Sequence, residues 1–223
     1  MNEHAFILAG AQLTALPSGA LWWGEKGMLI VSDLHFGKSE RIARRSGAML
    51  PPYETRDTLS RLEGDIHARG ATSVVCLGDS FDDLDAARSL DEGERLWLAR
   101  LQAGRRWVWI EGNHDPGPVE FGGAHLAELH EPPLTFRHIA RAGQSGEVSG
   151  HYHPKAQLYA RGRVISRPCF LYDTDRVILP AYGTYTGGLR SDAAALDGLM
   201  RREAKAVLTG LAAHVIPMPR GAA

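Results

Sequence analysis

Short apolar runs separated by turns and polar clusters set the rhythm of the first half of this chain. Leu21–Trp23, Met28–Val31 and residues 74–77 and 107–110 each read as a strand, because four or so consecutive apolar residues fit a pleated, buried element. Longer stretches with helical periodicity lie between them. Residues 53–68 carry Leu59, Leu62 and Ile66 at spacings of three and four, which puts one apolar stripe on a helix. Residues 90–101 form a second candidate helix, with Leu90, Leu96, Trp97 and Leu101 as packing positions. From Leu134 the pattern changes to short runs with turns between them: LTFRHIA, EVSGHYH, AQLYA, RVISR, CFLYD and RVILPAYG. These predict a strand-rich region with hairpins, followed by a helix around residues 191–203 and the short apolar runs AVL and HVIPM. Strands alternating with helices, then mostly strands, predict an α/β fold in which helices cover the outer faces of packed sheets.

With 223 residues, 44% of them hydrophobic, the chain can bury one sizeable core, so a single domain over 1–223 is expected. The formal net charge of −1 excludes a global basic field, and any grip on nucleic acid must come from a local patch. No apolar stretch approaches the roughly 18 residues that span a bilayer, so no membrane partner is expected. The N-terminal MNEHAFILAG lacks the basic-then-apolar pattern of a signal peptide. Cys76 and Cys169 are the two cysteines, and without a secretion signal they are expected to stay unbridged. A cytoplasmic location is the expectation these features give.

The polar residues with chemical potential sit just beyond the apolar runs. MLIVSDLH places Asp33 and His35 after one strand, VVCLGD places Asp79 after the next, VWIEGNHD places Asn113, His114 and Asp115 after a third, and EVSGHYH places His151 and His153 after a fourth. In open α/β sheets, ligands bind outside the carboxyl ends of strands, so four such clusters predict one shared crevice. Carboxylates, an amide oxygen and imidazoles make a mixed oxygen and nitrogen set that suits first-row divalent metals. No thiolate belongs to it, which excludes a cysteine-rich structural zinc site. Extended backbone through Asp33-Leu34-His35 and His151-Tyr152-His153 would place both side chains of each triplet on one face. Taken singly, each of these motifs is as consistent with an ordinary turn; their order and shared position after strands carry the inference.

The order D-x-H, G-D, G-N-H-D, H, G-H-x-H resembles the calcineurin-like metallophosphoesterase superfamily over about Met28 to Pro154. The resemblance implies a layered α-β-β-α sandwich and a centre of two divalent metal ions, with manganese expected and iron, cobalt or zinc as alternatives. It assigns Asp33, His35, Asp79 and His153 to the first metal, and Asp79, Asn113, His138 and His151 to the second. His114 is implied as the acid that protonates the leaving oxygen or stabilises the phosphate, with Asp115 orienting it. The histidine between G-N-H and G-H-x-H could be His125, His130 or His138; His138 ends the predicted strand LTFRH and is the expected ligand, with His130 next. Asp82 or Asp83 could orient a ligand histidine or cap a turn.

Two segments bear on the substrate. In GKSERIARRSGAMLPP, a helix would present Lys38, Arg41, Arg44 and Arg45 as one basic face beside the metals, suited either to a nucleic-acid backbone or to solvent. RPCFLYDTDRVILPAYGTYTGGL, together with SDLHFGK and GHYHP, is similar to the bacterial ligase-associated DNA damage response endonucleases, with Tyr182, Tyr185 and Thr186 as candidate substrate contacts. That similarity implies a manganese-dependent phosphodiesterase or DNA endonuclease in DNA repair, with DNA as substrate and a DNA ligase, a helicase and an exonuclease-like protein as partners. A small-molecule phosphodiesterase or phosphatase would share every metal ligand and is the alternative expectation. The oligomeric state is left open, a homodimer included.

Overall fold

The structure is a computed structural model that describes residues 3–47, 51, 53–117, 121–160 and 162–221. Seven strands form the first sheet in sequence order: β1 (His4–Leu8), β2 (Ala11–Ala15), β3 (Leu21–Trp23), β4 (Met28–Val31), β5 (Ser73–Cys76), β6 (Arg106–Ile110) and β7 (Ala124–Leu126). The β1 to β4 run is antiparallel, whereas β4, β5, β6 and β7 run parallel. Between β4 and β6 lie α1 (Lys38–Ser46), α2 (Glu54–Arg69), α3 (Leu84–Ser89) and α4 (Glu92–Gln102).

The second sheet is built from β8 (Glu128–Glu131), β9 (Leu134–Arg137), β10 (Glu147–Ser149), β11 (Lys155–Ala160), β12 (Arg163–Tyr172), β13 (Arg176–Ile178), β14 (Lys205–Leu208) and β15 (His214–Pro217), with α5 (Ala194–Leu199) before β14. Its order is β15-β14-β12-β13-β10-β9-β8, and β11 pairs with β12. Here β10 is parallel to both β9 and β13.

Three apolar layers hold these elements in an α-β-β-α sandwich. Leu13, Leu21, Ile30, Val75 and Val108 from the first sheet pack on Phe136, Val148, Phe170, Val177 and Val207 from the second. On the outer face of the first sheet, Leu29, Val31, Val74, Cys76, Trp107 and Trp109 meet Leu59, Leu62 and Ile66 of α2 and Leu98 and Leu101 of α4. On the outer face of the second, Cys169, Leu171, Ile178 and Ala206 meet Leu196 of α5 and Met200. Every residue of β4 and of β5 is therefore buried, which is why both read as near-continuous apolar runs, broken only by Ser73, rather than alternating ones. Both cysteines are buried and free. No helix among the described residues is long and apolar enough to cross a membrane.

Some elements depart from the sequence expectation. The β1–β2 hairpin was not anticipated, although Phe6, Leu8, Ala11, Leu13 and Ala15 alternate inward. RVISR and CFLYD form a single strand, β12, running through Pro168. The expected helix over residues 191–203 shortens to the six residues of α5, because the Arg201 N–H donates to the Asp173 carboxylate at 2.7 Å instead of continuing the helical ladder. The second predicted helix starts at Glu92, where Asp91 and Glu94 form a capping box that leaves Leu90 outside.

Candidate metal centre

The parallel strands β4, β5 and β6 point their carboxyl ends the same way, and the loops beyond them carry Asp33 and His35, Asp79, and Asn113 to Asp115. The parallel pair β9 and β10 in the facing sheet does the same for His138 and for His151 and His153. The crevice predicted from the strand ends thus draws on both sheets. Ligand atoms of Asp33, His35 and His153 lie within 4.8 Å of one another, as do those of Asp79, His138 and His151. Asn113 joins the second group, its Oδ1 3.0 Å from His138 Nε2. His130 instead faces Glu128 and Thr135 on the surface, and His125 lies beside the Phe121 carbonyl.

The backbone that delivers these residues is not extended, contrary to the expectation for the two triplets. Asp33, His35, Asp79, His151 and His153 all have φ between +45° and +71°. Left-handed conformations cost non-glycine residues free energy and persist where surrounding contacts fix them. Here those contacts are explicit. The Asp33 N–H donates to the Gly78 carbonyl and the His35 N–H to the Asp79 carbonyl, stitching two of the loops together. Ser32 Oγ (2.5 Å) and the His151 N–H (3.0 Å) both donate to Asp33 Oδ2, which ties β4 to the far sheet.

These bonds leave a pattern of atoms that calls for cations. Asp33 Oδ2 is held by its donors, so Oδ1 faces His153 Nε2 at 3.0 Å. Asp79 Oδ1 accepts from the His114 N–H at 2.8 Å, so Oδ2 faces His138 Nε2 at 3.3 Å. His138 Nδ1 sits 2.7 Å from the Leu77 carbonyl and must donate to it, which in a neutral ring turns the Nε2 lone pair toward two oxygens, those of Asn113 and Asp79. His35 Nδ1 likewise faces Asp82 Oδ1 at 2.8 Å, and its Nε2 meets His153 Nε2 at 3.5 Å. Acceptors converging on acceptors repel unless a cation lies between them. The donor set therefore fits divalent metals, and in His138 and His35 the second ring nitrogen has the carbonyl or carboxylate partner that metal-bound histidines use.

Burial and neighbouring charges act against each other on these groups. Burial would lower the His138 imidazole, but Asp79 and Asp33 push it up to about 8. Burial would raise the Asp79 carboxyl, yet His138, the His114 N–H and His35 bring it down to about 2. Asp82 is opposed by burial in the same way and held well below the usual carboxylate range by His35, Arg41 and Lys38.

Three expectations change here. Asp115 does not touch His114: its carboxylate accepts from the backbone N–H groups of Asp79, Ser80, Phe81 and Gly112, and so shapes the Asp79 turn. Burial, reinforced by the Asp79 charge, lifts its pKa to about 6. His114 is oriented instead through Nδ1, 2.9 Å from the Asp82 carbonyl. The basic helix α1 forms as expected, but its cations are paired. Arg41 Nη1 lies 2.6 Å from Asp82 Oδ2 and Lys38 Nζ 3.7 Å from Asp82 Oδ1, while Arg44 meets Glu40, Asp83 and Asp85, and Arg45 reaches Asp83 at 3.9 Å. Lys38 and Arg41 thereby serve the carboxylate that holds His35, because Asp82 is fully buried and its charge needs compensation. Of the candidate substrate contacts in the late segment, Tyr182 is buried with its hydroxyl donating to Asp65, whereas Tyr185 stays exposed.

Asp82 was legible only as one of two adjacent carboxylates after Asp79, and the fold decides between them: Asp83 caps α3 by accepting from the Ala86 N–H. Replacing Asp82 with Ala should weaken metal binding by about 10- to 100-fold, the usual cost of losing a carboxylate behind a ligand histidine. Titration of the apoprotein with Mn2+ by calorimetry measures this; an unchanged affinity would remove Asp82 from the centre.

A two-sheet sandwich with carboxylates, an amide and histidines gathered at adjoining strand ends defines a metallophosphoesterase. A model of the calcineurin-like phosphoesterase family matches residues 28–189, and the chain belongs to that family, whose members are metal-dependent hydrolases of phosphoesters. Among solved structures, it is similar to Pseudomonas putida nuclease MPE at 26% identity and a TM-score of 0.72, with 93% of this chain and 96% of that one covered. YfcE, a phosphoesterase from E. coli, shares 11% identity at a TM-score of 0.40, with 86% and 99% covered. No curated protein matches the chain in sequence.

Proposed function

We propose that this protein is a two-metal phosphodiesterase that cleaves DNA, with manganese as the working metal and a role in DNA repair. The observation that carries the hydrolytic reading is the pair of donor clusters whose lone pairs face one another, Asp33-His35-His153 and Asp79-Asn113-His138-His151. Asp33, His35, Asp79 and His153 would hold one metal, and Asp79, Asn113, His138 and His151 the other. When bound there, two such ions would supply charge to hold a phosphoryl group and acidify water into a nucleophile at neutral pH.

The chain's own residues do the rest. The loop contacts through Asp33, His35 and Asp79 fix the donors before substrate arrives, so no reorganisation is needed at the moment of reaction. His114, held at Nδ1 by the Asp82 carbonyl, presents Nε2 as the group that protonates the leaving oxygen or stabilises the phosphate. Similarity to the Pseudomonas putida nuclease along nearly the whole chain supports a nucleic acid as substrate, and DNA is the nucleic acid proposed. The paired state of α1 favours a second reading, a small nucleotide-type diesterase, since it leaves less free positive charge for a DNA backbone.

One assay separates the two. With Mn2+, and with Fe2+, Co2+ or Zn2+ in parallel, the protein is expected to cleave single-stranded or plasmid DNA as well as bis-p-nitrophenyl phosphate, and His114→Ala should reduce both. Intact DNA under conditions that hydrolyse the small diester would overturn the nuclease assignment.

A further inference from the structure

The two flanks of the centre are built differently. Beside Asp33 and His153 the segment over residues 182–189 is bonded in place: the Tyr182 and Gly183 N–H groups donate to the Ser32 and Asp33 carbonyls, and the Leu189 N–H donates to the Tyr152 carbonyl. Beside Asn113 and His138, in contrast, a pocket of about 410 Å³ opens directly against the candidate ligands. A cavity of similar size between Gly37 and Glu94 touches none of them. We propose that the pocket beside Asn113 and His138 is the subsite for one nucleoside adjoining the scissile phosphodiester, and that Arg141 binds the next phosphate along the strand. This inference rests on the phosphodiesterase reading of the centre.

The pocket's chemistry selects that occupant. Pro116, Ala127 and Ile139 give it apolar surface suited to a base or sugar, and Glu111 in its wall disfavours a phosphate inside it. Its volume lies near the lower end of the roughly 300–1,000 Å³ typical of small-molecule sites, which fits one nucleoside and not a duplex. Of its two arginines, Arg137 is buried and paired with Glu147 at 2.8 Å and Glu128 at 3.1 Å. Arg141 is the available cation: its side chain is 65% exposed, and its ion pair is a surface contact with Glu128 at 3.3 Å. Surface pairs of this kind contribute little, so the guanidinium can turn to a phosphate, which it binds in bidentate fashion. Because Asn113 and His138 both line the pocket and belong to the centre, an occupant's phosphoryl end would reach the residues that would hold the second metal.

The test uses Arg141→Ala and Ala127→Trp, the second to fill the pocket. In a metal-loaded His114→Ala background, either change should weaken binding of a fluorescently labelled single-stranded oligonucleotide about tenfold, read by anisotropy. In the otherwise native enzyme, KM for the oligonucleotide should rise while hydrolysis of methyl p-nitrophenyl phosphate, which carries no nucleoside, and metal content stay as they are. Unchanged oligonucleotide affinity in both variants would overturn the subsite. So would a parallel fall in metal content and in methyl ester hydrolysis, since that would mean damage to the centre. If the native protein hydrolysed no diester with any divalent metal, the phosphodiesterase reading would fail, and the anisotropy comparison would still decide whether the pocket takes a nucleoside.

Discussion

Replacing His138 with Ala should lower bound metal from two ions per chain to one and reduce diester hydrolysis by more than about 100-fold, the upper end of what removing a mere supporting partner costs. The expectation follows from how many contacts converge on this ring. Nδ1 is anchored on the Leu77 carbonyl, and Nε2 faces Asn113 Oδ1 and Asp79 Oδ2, with His151 Nδ1 at 3.2 Å. Removing the imidazole takes away one donor and leaves the carboxylate and the amide without the group between them. The first cluster, Asp33, His35 and His153, does not contain His138 and should keep its ion. Elemental analysis of the purified variant reads the stoichiometry, and His130→Ala serves as the comparison, because that surface histidine should change nothing. Two ions per chain in the His138 variant would show that another residue completes the second cluster.

Gly150→Ala should abolish the centre without replacing a single ligand. A Cβ at this position would fall 2.6 Å from Asp33 Oδ2 and 2.8 Å from the Ser32 Cβ, closer than any real Cβ packs. Both neighbours are fully buried, and Ser32 Oγ and the His151 N–H are what pin the Asp33 carboxylate. The added methyl must push apart the strand-end loops of the two sheets at the point where they are bonded together. Overpacking of this kind costs about 1–3 kcal/mol, and here the displaced atoms are those that place Asp33 and His151. Loss of activity should therefore accompany a lower Tm. Gly187→Ala is the control, since a Cβ there meets nothing within 4 Å. A Gly150 variant with native Tm and native metal content would show that the Ser32–Asp33–His151 clamp is not what holds the loops.

The candidate site was legible because its chemistry is concentrated in local words of sequence. Asp33 and His35, Asp79, Asn113 and His114, and His151 and His153 each follow an apolar run, so the strand and the residues beyond it were read together. Position at the end of LTFRH singled out His138 over His130 for the same reason. What could not be read that way were partners distant in sequence. That Asp115 braces the Asp79 turn, that Asp82 holds His35, and that Lys38 and Arg41 are occupied by Asp82 all depend on which loops meet. The basic face of α1 shows the limit most clearly. Helical spacing placed its cations on one side, but only the approach of the loop after Asp79 revealed carboxylates on that side too.

For this protein, then, the residue types at the ends of its apolar runs determined by themselves the α/β architecture and the kind of centre, because backbone periodicity and metal chemistry are both local properties. The tertiary structure alone decided the left-handed backbone at five of the donors, the partners behind them and the open pocket beside Asn113. Those features arise where loops from two sheets are pressed together, and the free energy that fixes them comes from contacts between segments more than a hundred residues apart, such as His151 on Asp33.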